Sequence, residues 1–198
     1  RPDKDSVLGR QAYLSYEVAY TIGEYLQKEP RPDIVEVQDY QGIGYYLQLF
    51  KTLQYEHFRD LCILTTLHST SYLYQRVNRE AIYRLPTFWT GEMEKFSILA
   101  SDILISPSQY LVDRLSEDFR ISDKEVTVVP NPIQTNSQPP HPHFERNKIV
   151  FFGKMVYMKG GFQLIEYFKT LWDQGFPHPL TIIGETDFIL HAEDIPAR

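Results

Sequence analysis

Asp102-Ile103-Leu104-Ile105-Ser106-Pro107-Ser108-Gln109 carries a short apolar run that stops at a hydroxyl and a proline. It reads as a buried strand over residues 102 to 105 that hands over at once to a helix. Ser106 fits an N-cap, Pro107 a first-turn proline and Gln109 a capping-box partner, so a helix is expected from there to about Glu117. A strand feeding directly into a helix is the unit of a parallel sheet, because the helix is what carries the chain back to start the next parallel strand.

The same unit recurs on both sides. Leu8, Ala12, Ala19, Ile22 and Leu26 fall one or two helical turns apart and predict an amphipathic helix ending before Pro30. Ile34 to Val37 is a short β-branched strand. Residues 43 to 53 read as a helix, 61 to 67 as a buried strand, 92 to 100 as a helix and 126 to 129 as a strand that Pro130-Asn131-Pro132 terminates. Residues 70 to 90, rich in Tyr and Arg without a clean period, are expected to form a long loop with at most a short helix. Residues 134 to 147, with Pro139, Pro140, Pro142, His141 and His143, have almost nothing to bury and read as a linker. Beyond it, Ile149 to Phe152 is a strand, Leu164, Ile165, Phe168, Leu171 and Trp172 follow a helical period up to Gly175, and Leu180 to Ile183 is a second strand. The fold class is therefore α/β. Two Rossmann-like parallel-sheet domains are expected, one over residues 1–133 and the start of another over 148–198, the second sheet incomplete, with ligands at the carboxyl ends of the strands.

Bulk properties narrow the function. A formal charge of -6 argues against a broad nucleic-acid footprint but leaves room for a local cationic pocket for one anionic ligand. Cys62, the single cysteine, lies in an apolar run and is read as inert core filler; no intrachain disulfide or cysteine-rich zinc site can form, and a reducing, cytoplasmic setting is expected. No apolar stretch approaches the roughly 18 residues of a membrane span. The chain opens on Arg1-Pro2-Asp3, without a signal-peptide pattern, and upstream sequence is expected to be missing.

The segment richest in chemistry is Gly153-Lys154-Met155-Val156-Tyr157-Met158-Lys159-Gly160-Gly161, between a strand and a helix. A glycine-containing turn at a helix N-terminus presents free backbone donors and the positive end of the helix dipole, and two lysines add full charge. The set suits a diphosphate; two solvated loop lysines explain the spacing as well. Other phosphate motifs fail. Gly153 followed by Lys159-Gly160 reverses the end of a Walker loop, and Gly42 and Gly44 begin a dinucleotide fingerprint whose third glycine position holds Leu47. His68 ends the strand at 61 to 67 on the ligand side, where it could hydrogen-bond a sugar or take a proton, although a lone histidine there is more often a capped structural one. His141 and His143 lack partners for a metal. Glu185 and Glu193 have a Glu-x7-Glu spacing but sit directly after a strand with Pro196 close behind, so no helix carries both.

In order, these segments resemble family 4 glycosyltransferases from about Pro32 to Gly184. Residues 32 to 39, Pro-Asp-Ile-Val-Glu-Val-Gln-Asp, are similar to a strand leading to a His-Asp or Gln-Asp turn. Leu64-Thr65-Thr66-Leu67-His68 looks like the strand ending in histidine, and Ser101 to Ser108 like an Ala-Asp-x-x-(apolar)-x-x-Ser strand and helix. Val126 to Ile133 resembles the Val-Ile-Pro-Asn-Gly-Val closing the first domain, and Phe151-Phe152-Gly153-Lys154-Met155 with Lys159-Gly160 the donor-diphosphate loop opening the second. Pro132 stands where the family has glycine, and Lys154 where arginine is more common, which loses bidentate geometry.

The resemblance implies a two-domain (GT-B) transferase that moves a sugar, hexose-type, from a nucleotide diphosphate to a glycan, lipid-linked or small-molecule acceptor with retention, as in polysaccharide biosynthesis. It implies Gly153, Lys154, Lys159 and Gly160 on the donor diphosphate and His68 on the transferred sugar. Asp39, Gln41, Ser108, Asn131 and Glu185 would line the cleft, Ser108 as a structural cap. No metal or other cofactor is implied, and peripheral membrane contact stays open without support in the sequence. Family members extend beyond both ends of this chain, so it is expected to be a portion of an enzyme, inactive alone. A sugar-nucleotide epimerase or hydrolase on the same domains, and a non-catalytic binding domain, stay open.

Overall fold

The structure, a computed structural model, describes residues 8–134 and 148–184. The chain divides into two compact units, Arg1–Arg76 with Glu80–Ile133, and Val77–Arg79 with Gln134–Arg198.

The first unit is built on four parallel strands in the order β1 (Val35–Gln38), β2 (Ile63–Thr66), β3 (Ile103–Ser106) and β4 (Val126–Val128). Register runs Val35 to Ile63 and Gln38 to Thr66, then Thr66 to Ile105, then Ser106 to Val128, so the four carboxyl ends lie together along one edge of the sheet. The central strands are short and buried, as strands covered on both faces require. Ile63, Thr65 and Leu104 are all but inaccessible, and the Thr65 hydroxyl meets the Ser101 hydroxyl at 2.5 Å.

Helix α1 (Arg10–Lys28) faces inward through small side chains, Ala12, Ser15, Ala19 and Gly23, rather than through the whole apolar set read from the sequence; Leu8 is exposed. Small residues let α1 approach closely. A Cβ at Gly23 would stand 2.9 Å from the Phe58 ring, and Ser15 Oγ donates to Ile43 O and accepts from Tyr46 N, both at 3.0 Å, tying α1 to α2 (Tyr45–Thr52). Ala19, Val37, Leu47, Phe58, Leu61 and Ile63 form the core between them. Cys62, expected as core filler, is only half-buried.

Between β2 and β3 the expected loop over 70 to 90 holds one short helix and the first turn of a longer one. Helix α3 (Ser71–Val77) starts where Thr70 Oγ1 accepts from Leu73 N at 3.1 Å, and α4 (Thr87–Ala100) begins five residues before the sequence period becomes visible at Glu92. The reason is composition. Pro86, Thr87, Phe88 and Trp89 carry no helical period, yet Phe88 N closes on Arg84 O and Thr90 N on Pro86 O. After β3, the N-cap of α5 (Gln109–Phe119) is Ser108, not Ser106: the Ser108 hydroxyl accepts from Leu111 N at 3.3 Å, while Ser106 ends the strand and its hydroxyl donates to Ser108 O. Pro107 thus precedes the helix.

In the second unit β5 (Ile149–Phe152) and β6 (Leu180–Ile183) pair in parallel, with α6 (Gly161–Asp173) between them in sequence. Phe168 is the buried anchor of α6, packed on Trp172 and Phe176, and Gly175 at φ 89° turns the chain after the helix. Leu171 and Trp172, read as core positions, stay partly exposed because two described strands cover only part of the helix's apolar stripe. Within this unit the Asn78 amide oxygen accepts from Met158 N at 3.0 Å, and the Arg79 guanidinium lies 4.3 Å from the Tyr157 ring centre.

Candidate functional site

Parallel strands end with their last carbonyl groups and the following loops on one edge, and that edge is where α/β sheets bind ligands. In the first unit it carries Asp39 after β1, His68 two residues after β2, Ser108 after β3 and Asn131 after β4. An open depression of about 480 Å³ lies beside His68, lined by Gln38, Tyr40, His68, Ser69 and Tyr74. His68 and Asn131 are exposed, and Ser108 is occupied as the α5 cap.

Asp39 lies beneath the surface. It is fully buried; its Oδ1 accepts from Ser69 N at 3.5 Å and its Oδ2 has no donor among the described residues. Burial raises its carboxyl above the ordinary carboxylate range, while the N–H groups of His68 and Ser69 and the nearby imidazole act to lower it. Gln41 follows in a single 3-10 turn, Tyr40–Gly42, with its backbone in the left-handed region at φ 56°.

Glu94 is a site residue that reading the sequence misses. This α4 carboxylate is wholly buried and accepts three backbone N–H bonds, from Gln41 at 2.7 Å, Ser71 at 2.7 Å and Tyr72 at 3.0 Å. Burial nevertheless pushes its carboxyl up to about 7. A signal was present: Thr90, Glu94, Ser97 and Ser101 recur at helical spacing and all are buried, a polar stripe on the inner face of α4. Asp102, read only as part of a motif, is structural: it accepts from Ile63 N at 2.7 Å and pairs with Lys51.

In the second unit Gly153 closes the β5 to β6 ladder through its N–H to Ile183 O at 2.9 Å. The chain then runs through buried Met155 and Val156 and a 3-10 turn at Tyr157–Lys159 to Gly160 at φ 73°, which opens α6. Gly161 must be small, since a Cβ there would stand 2.9 Å from Met155 Sδ. Lys154 and Lys159 both lie exposed on this loop, which meets the unpaired N–H groups of the first turn of α6. Glu185 lies outside the described residues, as do Glu193, His141 and His143. Among the described residues, no cluster of three or more His, Cys, Asp or Glu side chains is placed to hold a metal.

A Rossmann-like α/β domain with its polar residues gathered at the carboxyl edge of a parallel sheet is the architecture of a ligand-binding domain. The chain belongs to Glycosyltransferase Family 4, whose family model matches residues 4–137. It is thus a glycosyltransferase chain, acting between a sugar donor and an acceptor. No curated protein matches it.

Proposed function

We propose that the enzyme transfers a sugar from a nucleotide diphosphate to an acceptor hydroxyl with retention, the second unit taking the diphosphate and the carboxyl edge of the first unit the sugar. The reading rests on one observation: two exposed lysines, Lys154 and Lys159, flank a strand-to-helix turn that opens with Gly153 and closes on Gly160-Gly161 at the α6 N-terminus. Breaking the bond to the anomeric carbon leaves growing negative charge on the diphosphate. Ammonium groups and backbone N–H donors fixed beforehand stabilise that charge more than they stabilise the bound donor. No metal is assigned a part.

On the first unit, His68 contacts the sugar from the rim of the depression, and Asp39, Gln41 and Asn131 shape the same edge. Ser108 serves as a cap. Product analysis of the full-length enzyme with UDP-, GDP- and ADP-sugars tests the reaction class: acceptor consumed in step with nucleotide release is expected, whereas release without acceptor loss, or epimerised donor, overturns transfer. Lys159→Ala in the same enzyme is expected to slow transfer at least ~10-fold; unchanged turnover and donor affinity would remove that lysine from the site.

A further inference from the structure

Two walls enclose the depression beside His68. One is Tyr40, on the turn after β1; the other is the stretch from His68 to Tyr74, which runs from the end of β2 into α3. Neither is long enough to hold itself. The first is a single 3-10 turn whose Gln41 sits in the left-handed region, a conformation that costs a non-glycine residue about 1 kcal/mol and persists only where its surroundings impose it. The second is a loop of a few residues followed by the seven-residue helix α3.

Glu94 reaches both. Its Oε1 takes the Gln41 N–H from the first wall and the Ser71 N–H from the second, and its Oε2 takes the Tyr72 N–H. The backing behind it is tightly packed: a Cβ at Gly42 would stand 2.6 Å from Met93 Cβ, and one at Gly91 would stand 3.1 Å from the Tyr72 ring. We propose that Glu94 is a positioning residue for the transfer site: by bonding both walls through one carboxylate it sets the spacing of Tyr40 from His68, Ser69 and Tyr74. This deepens the assignment of the sugar to that edge. The chemistry also explains why the residue is an acid. Three N–H donors converge, and a carboxylate offers acceptors on both oxygens, whereas a glutamine would turn its amide N–H toward the Tyr72 N–H. An alanine would leave three donors, one buried and two part-buried, without this acceptor.

Amide exchange and side-chain NMR on the folded chain test this without turnover, so the result stands apart from the fate of the proposed reaction. In Glu94→Gln, the Tyr72 amide, which then faces an amide N–H instead of an acceptor, is expected to exchange at least ~10-fold faster than in the wild type, while those of β2 keep their rates. The His68 imidazole ring is the second readout: its carbon-proton signal is expected to move in Glu94→Gln and to stay in Glu92→Gln, which alters an exposed side chain of the same helix. Faster exchange with an unmoved imidazole signal would make Glu94 a stabilising residue only and overturn the proposal. Should Glu94→Gln not fold, the wild-type chain decides: a Gln41 amide protected to within about tenfold of the β2 amides supports the bond, and one exchanging at the rate of an unbonded loop amide overturns it.

Discussion

Ser108 and Ser106 differ by two positions and do different work. Ser108 caps α5 through Leu111 N, so Ser108→Ala is expected to cost about 1 kcal/mol in denaturant unfolding. Ser101 carries more. Its hydroxyl receives the Gln48 amide at 2.9 Å, meets Thr65 and donates to Ser97 O at 2.7 Å, all buried, so Ser101→Ala leaves partners stranded and is expected to cost about 2–3 kcal/mol. At this scale the sequence was legible where a residue type has one common use, as with the glycine at 160 that takes φ 73°, and illegible where the use depends on what lies across the fold. Asp39, Glu94 and Asp102 look alike as letters. One holds an uncommitted buried oxygen, one bonds two loops and one ties β2 to β3.

Helix α4 shows how an element hides its purpose. Its apolar residues predict a helix from Glu92, but its inner face is a mixed stripe in which Met93 and Ile98 supply packing and Glu94, Ser97 and Ser101 supply hydrogen bonds. Because burial raises the Glu94 carboxyl from 4.5 to about 7, the folded chain holds that proton more tightly than the unfolded chain does. Stability attributable to this group is therefore highest below pH 4.5 and falls as pH rises toward 7, by roughly 3 kcal/mol. Glu94→Gln lacks that slope. Denaturant midpoints measured between pH 4.5 and 7.5 should show the wild type losing its advantage over the variant as pH rises; parallel curves would mean that the carboxyl is not shifted. The turn facing α4 is tighter still. Gly42→Ala would meet Met93 Cβ in a left-handed backbone and is expected to cost about 2–4 kcal/mol.

Across the whole molecule, the alternation of strands and helices was enough to give the parallel sheet, since short β-branched runs separated by helix-length segments leave few other topologies. The gathering of residues 39, 68, 108 and 131 along one edge follows from it, whereas the strand order β1-β2-β3-β4 does not. The small-residue face of α1 and the first turn of α4 did not, because close packing and ring contacts such as Tyr45 against Trp89 leave no period in the sequence. Charge acts on the same scale. With a formal net charge of -6, the protein as a whole repels a diphosphate, so the attraction must be local, and affinity for nucleoside diphosphates should weaken as ionic strength rises because the ammonium groups are exposed. Titration of the nitrogen-15-labelled protein with UDP, GDP and ADP, followed residue by residue, addresses that attraction directly. The amide signals of Lys154, Lys159, Gly160 and Gly161 are expected to shift together and saturably with at least one of the three; signals that stay in place with all of them would contradict the assignment of the diphosphate to this loop.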